Sequence, residues 1–120
     1  MFKDFPLSIH NNAQKAAEAS RCAGEQNKYW EYHDVLFKNI NALASDNLKK
    51  YAADLKLEAA KFDSCLDSGK HAAAVNKDMA DGMKVGVSGT PAFLVNGRFL
   101  SGAQPFSAFQ EVIEEVLASE

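Results

Sequence analysis

The chain has 120 residues, of which 47% are hydrophobic and 24% charged. That is enough for one domain able to bury roughly two thirds of the surface its unfolded chain would expose. The formal charge is -3 with both signs interleaved, and no stretch gathers Lys and Arg between aromatics or runs apolar long enough for a bilayer, so neither nucleic acid nor membrane is expected as a partner.

Met1 to Leu7 alternates polar and apolar like the tail of a strand ending at Pro6, and no apolar signal region is expected there. Ser8 to Asn12 carries turn and cap residues. From Asn12 the period changes: Ala13, Ala16, Ala17, Ala19, Cys22 and Ala23 form a small-residue stripe at helical spacing, and Gly24 marks its expected end. A second helix is expected over about Lys28 to Asn41, with Tyr29, Trp30, His33, Phe37 and Ile40 on one broad face expected to be core. Ser45 or Asp46 should cap a third helix through Leu48, Tyr51, Ala52 and Leu55. Leu57 to Leu66 reads as a short fourth helix stopped by Ser68-Gly69. A longer helix follows from about Lys70 to Lys84, with Ala72, Val75, Met79 and Met83 expected inside.

Pro91 to Val95 and Arg98 to Leu100 read as two short strands. Asn96-Gly97 between them is the strongest short-range hairpin signal, because a type I′ turn needs positive φ at both central residues. Pro91 at the head of a buried strand has two readings: an ordinary strand-initiating proline, or a cis-proline whose neighbouring backbone groups stay free for an extended peptide. Pro105 suits the first turn of a last helix, whose apolar positions are Phe106, Phe109, Val112, Ile113, Val116 and Leu117.

Cys22 and Cys65 lie far apart, each on a predicted helix among apolar neighbours. On residue type alone they are buried small hydrophobes or a bridged pair. Neither has the C-x-x-C spacing that sets an attacking sulfur at a helix N-terminus, so no catalytic residue is assigned. His10, His33 and His71 have no close-spaced partner of the kind that marks a zinc site, so no metal is expected. No phosphate loop, nucleophile elbow or H-E-x-x-H motif is present, and no cofactor is expected.

The run GVSGTPAFLVNG at Gly86 to Gly97, followed by SGAQPF at Ser101 to Phe106, closely resembles the proline hairpin and last helix of the DsbA-like thiol:disulfide oxidoreductases, a branch of the thioredoxin superfamily. FKDFPL at Phe2 to Leu7, AQKAAEASRCAGEQNKYWEYHDVLF at Ala13 to Phe37 and FDSCLDSGK at Phe62 to Lys70 resemble the same family in the same order. The resemblance implies an α/β thioredoxin-like fold, here an incomplete domain over 1-120. Residues 8-84 would be a helical insertion of four or five helices, and 1-7 with 85-120 the remnant of the thioredoxin-like core. It further implies thiol-disulfide exchange on extended protein substrates, with Gly89, Thr90 and Pro91 as the docking loop. A disulfide between Cys22 and Cys65 would match a noncatalytic pair found in part of the family, giving the parent protein a periplasmic or otherwise extracytoplasmic location.

In that family the redox Cys-x-x-Cys precedes the FKDFPL-like strand, and this chain has none. Three expectations follow. The reading frame is a shortened form of a longer gene. The chain by itself has no exchange activity, so its status as an enzyme stays open. The central strand of the sheet is missing, leaving edges for a homodimer or higher assembly to cover, or for Met1 to Phe5 to cover by collapse onto the hairpin; Thr90-Pro91 could then be cis or trans. Two alternatives remain: a noncatalytic peptide-binding or dimerisation module, and a relative of the isomerase and glutathione-transferase kappa branch. Against the latter, Thr90 before Pro91 resembles the exchange branch.

Overall fold

In chain order the elements are α1 (Ala13–Gly24), α2 (Tyr29–Lys38), α3 (Ser45–Asp54), α4 (Ala59–Asp67), α5 (Ala72–Lys84), β1 (Ala92–Val95), β2 (Arg98–Ser101) and α6 (Phe106–Ala118). The computed structural model describes residues 2–7, 10–95 and 98–118. The chain divides into two compact units, Met1–Met79 and Ala80–Glu120.

The first unit is built on α1. Its alanines remove the bulk that would hold neighbours away, so α1 packs against α2, α3 and α4, and Ala19 and Ala23 are fully buried. Around it lie Tyr32, Leu48, Phe62 and Leu66, each also sealed from solvent. Burying side chains of this size contributes about 1.5–3 kcal/mol each. The two buried phenols are satisfied: Tyr32 donates to the Leu48 carbonyl at 2.8 Å and Tyr51 to the Ala42 carbonyl at 2.7 Å.

Four of the helices stop in the same way. A residue with positive φ follows the helix, and two amides fold back on carbonyls of the last turn: Asn27 and Lys28 on Gly24 and Ala23, Lys56 and Leu57 on Ala53 and Ala52, Gly69 and Lys70 on Leu66 and Cys65, Gly86 and Val87 on Met83 and Gly82. Glycine at 69 and 86 takes this conformation without a Cβ penalty. The first helix ends at Gly24, as the sequence singled out, and the Asn27 turn follows it.

Several expectations are corrected. Residues 2–7 form no strand; the Asp4 amide donates instead to an Asp78 carboxylate oxygen at 3.1 Å. Helix α2 buries Tyr32 and Leu36, whereas Trp30 and Phe37 are exposed, because the helix carries two apolar stripes and only one faces α1; the helix ends at Lys38, and Ile40, in the turn beyond it, is exposed too. The residue before α3 is Ala44, with no side-chain cap, so Ser45 and Asp46 lie inside the first turn. Helix α5 buries Val75 and Asp78, while Met83 is 62% exposed.

In the second unit β1 and β2 pair antiparallel from Ala92↔Ser101 to Val95↔Arg98, as expected; the Asn96-Gly97 turn lies outside the described residues. Helix α6 packs on β1, where the Phe93 and Phe109 rings meet edge-on at 4.8 Å, and an ion pair joins Arg98 to Glu115. Of the apolar stripe on α6 only Val116 is buried, with Phe106, Ile113 and Leu117 exposed. Among the described residues no helix is long and apolar enough to cross a membrane.

Candidate functional site

Two places carry the residues singled out by the sequence, one in each unit. In the second unit the loop Ser88–Pro91 leads straight into β1, and its Thr90-Pro91 peptide is cis. The Pro91 carbonyl accepts from the Gly102 amide at 2.7 Å, extending the β1–β2 ladder by one bond. Thr90 and Pro91 are exposed, and the space where Gly89 would carry a Cβ is open. Among the described residues the Thr90 amide and carbonyl have no backbone partner, and the sheet has only these two strands, so each keeps one open edge. Phe93 and Leu94 beside the loop are 41% and 51% exposed. Such an arrangement can accept an extended chain by adding it to a strand edge.

In the first unit Cys22 of α1 and Cys65 of α4 form a disulfide, with Cα atoms 5.9 Å apart. The buried-hydrophobe reading of the pair is thereby replaced. Both cysteines are buried, and three polar side chains gather on them. Glu25 follows Cys22 by one turn, and its Oε2 lies 3.2 Å from Cys65 Sγ. A bridged sulfur carries no proton, so this is a contact and not a hydrogen bond. The backward fold of the chain after α4 brings Lys70 and His71 to the same carboxylate, His71 Nε2 at 3.0 Å and Lys70 Nζ at 2.5 Å. Hydrogen bonds from Lys70 and then His71 hold the Glu25 carboxyl below its ordinary range. Ligating atoms of Cys22, Cys65 and His71 all lie within 4.8 Å of one another. Sequence spacing could not find this group, since its members come from three separate stretches.

Two further clusters in the first unit were not read from the sequence. Arg21 bridges two carboxylates, Nε to Asp4 at 2.8 Å and Nη2 to Asp78 at 2.7 Å, with Lys3 Nζ 3.8 Å from Asp78. Burial raises the Asp4 carboxyl above its ordinary value, and the Arg21 guanidinium opposes that without cancelling it. Burial likewise pushes the Tyr29 phenol up to about 12. Phe2, Tyr29, Trp30, His33 and Phe37 form a chain of edge-on rings, with centroids between 4.4 Å for His33–Phe37 and 6.4 Å for Phe2–Tyr29. Phe2, Trp30 and Phe37 are each more than half exposed. His33 therefore sits in a surface cluster, not in the core.

The chain is similar to known proteins along nearly its whole length. It is 34% identical over 120 residues to the Na(+)/H(+) antiporter NhaA 3 of Salinispora tropica, covering 99% of this chain and 18% of that protein. The Na(+)/H(+) antiporter NhaA of Herminiimonas arsenicoxydans is 34% identical over 108 residues, which is 90% of this chain and 17% of the other. The chain thus spans less than a fifth of the length of these relatives. A solved thioredoxin-like oxidoreductase from Silicibacter pomeroyi superposes with a TM-score of 0.75 at 21% identity, over 97% of this chain and 66% of that one, which establishes a thioredoxin-like fold. The family model described as Thioredoxin matches residues 1–115, and the chain belongs to that family.

Proposed function

We propose that the chain is the C-terminal part of a DsbA-like protein thiol-disulfide oxidoreductase, with Gly89, Thr90 and Pro91 as the loop on which an extended protein substrate docks. The observation that carries this reading is the open β1 edge continuous with an exposed Thr90-Pro91 loop whose Thr90 backbone has no partner among the described residues. A substrate strand laid there would gain main-chain hydrogen bonds, with Phe93 and Leu94 offering apolar contact.

Exchange in this chemistry starts with a thiolate attacking a substrate disulfide. The sequence has two cysteines, both used in one bridge, so the chain by itself holds and orients a substrate without reacting with it. On this reading residues 8-84 are the helical insertion, 1-7 and 85-120 the thioredoxin-like remainder, and a Cys-x-x-Cys segment belongs to the same parent protein. The bridge supports an extracytoplasmic setting. The open strand edge supports a homo-oligomer in the absence of that segment.

A second reading is a noncatalytic binding module. It is favoured by the relatives: in proteins named as antiporters, the matching portion is under a fifth of the chain, which is how a transferable module appears. One pair of measurements separates the two. Insulin reduction by the isolated chain should stay at background. Anisotropy with a labelled, extended, cysteine-containing peptide should report binding that Gly89→Val and Pro91→Ala weaken at least several-fold. Joining a Cys-x-x-Cys thioredoxin segment ahead of the chain should restore exchange on the first reading and leave it at background on the second. Peptide binding indifferent to both variants refutes the docking loop.

A further inference from the structure

We propose that reduction of the Cys22–Cys65 bridge turns the same place into a zinc site, with Cys22, Cys65, His71 and Glu25 as its four ligands. The inference is independent of the docking loop, which lies in the other unit.

The donors fit the metal in kind and in spacing. Zinc takes thiolate, imidazole and carboxylate in a tetrahedron, with Zn–S near 2.3 Å and Zn–N or Zn–O near 2.0–2.2 Å. Adjacent ligand atoms of such a site stand about 3.3–3.8 Å apart, by geometry from those bond lengths. Here the sulfur and imidazole donors lie within 4.8 Å of one another, and Glu25 Oε2 stands 3.2 Å from Cys65 Sγ and 3.0 Å from His71 Nε2. Small side-chain movements would close the tetrahedron. An imidazole and a carboxylate have no bond to offer a disulfide sulfur, yet both are metal donors once that sulfur is a thiolate.

The backbone supports the donors without the bridge. Cys22 and Cys65 are carried by α1 and α4, whose contact also contains Ala19, Ala23, Phe62 and Leu66. Glu25 is fixed one turn after Cys22. His71 is fixed by the Gly69 turn, in which the Lys70 amide donates to the Cys65 carbonyl itself. Lys70 Nζ binds the remaining Glu25 oxygen, Oε1, an outer contact of the kind that orients a ligating carboxylate. Two thiolates with an imidazole select zinc over magnesium or calcium, which prefer all-oxygen shells.

The chemistry balances with a dithiol as reductant. The dithiol gives two electrons and two protons to the S–S bond and becomes a disulfide; Cys22 and Cys65 become thiols; zinc then displaces both thiol protons. One crosslink between α1 and α4 is exchanged for another, and the reducing state of the surroundings selects which is present.

The test is metal titration of the full chain. Protein reduced anaerobically with a phosphine, then freed of it by gel filtration, is titrated with Co²⁺ and back-titrated with Zn²⁺. One equivalent of Co²⁺ should bind, with the thiolate charge-transfer and intense visible bands of a tetrahedral site, and one equivalent of Zn²⁺ should abolish them. The oxidised protein should show neither. His71→Ala and Glu25→Gln should each weaken binding by at least about 10-fold, and Lys61→Ala, an exposed neighbour, should leave it unchanged. Far-UV circular dichroism accompanies each titration. If the reduced chain loses its helices, Zn²⁺ should restore them in the wild type and fail to do so in Cys22→Ser. No stoichiometric binding by the reduced wild type, or undiminished binding by His71→Ala, overturns the site. Undiminished binding by Glu25→Gln overturns the four-ligand set.

Discussion

The two units of the chain handle their apolar residues in opposite ways. In the first, four helices close over Ala19, Tyr32, Leu48, Phe62 and Leu66, a bridge crosses the core, and the buried phenols have carbonyl partners. In the second, a two-stranded hairpin and one helix bury Leu100 and Val116, and leave Leu94, Phe106 and Leu117 more than half exposed. A hairpin of two short strands is marginal in water, and three strands or a packed helix are the usual minimum. The lesson is that the first unit closes its core between four helices, whereas the second, a hairpin with α6 packed on β1, leaves large apolar side chains exposed.

The largest expected effect strikes the closed core. Phe62→Ala should lower the stability of the first unit by about 3–5 kcal/mol in urea unfolding, through lost burial and the cavity left behind. A loss near zero would mean that this core is no better packed than the hairpin unit. Asp78→Ala should cost about 2 kcal/mol by removing the acceptor of both Arg21 and the Asp4 amide, measured the same way.

A pH series sharpens the picture at the edge of that core. Burial holds the Asp4 carboxyl above 3.8, so in the window between that value and its folded value the folded state binds the proton more fully than the unfolded chain. The Asp4 contribution to stability is thus fullest at low pH and falls as pH rises through the window. Asp4→Asn should remove this slope from the urea midpoints, and an unchanged slope would assign it to another group. The smallest effect belongs to the open unit. Leu117→Ser should change the stability of the isolated chain by no more than about 0.5 kcal/mol. Light scattering at micromolar concentration completes the comparison: an assembly that Leu117→Ser dissociates identifies α6 as its contact, and a strict monomer refutes the homo-oligomer.

Much of this was legible in the sequence, for local reasons. The alanine stripe of α1, the strands around Asn96-Gly97, the final helix and the proline loop each follow from periodicity or turn chemistry within a few residues. What escaped depends on partners far along the chain. Helix α2 offers Tyr29, Trp30, His33 and Phe37 as a stripe beside that of Tyr32 and Leu36, and periodicity cannot tell which stripe meets α1. Asp78 carries no local signal of burial, and its partners Arg21 and the Asp4 amide reach it from 57 and 74 residues away. His71 beside the two cysteines was hidden likewise: the Gly69 turn, and no sequence spacing, delivers it.

The hydrogen bond from Tyr32 to the Leu48 carbonyl has an optical consequence. Burial raises the ionisation of this phenol, and that of Tyr29 to about 12. The ultraviolet bands of these two tyrosinates should therefore appear at higher pH than that of free tyrosine. For Tyr32 the band can grow in only when the helices around it part, so its late rise would serve as an intrinsic dye for the opening of the first unit.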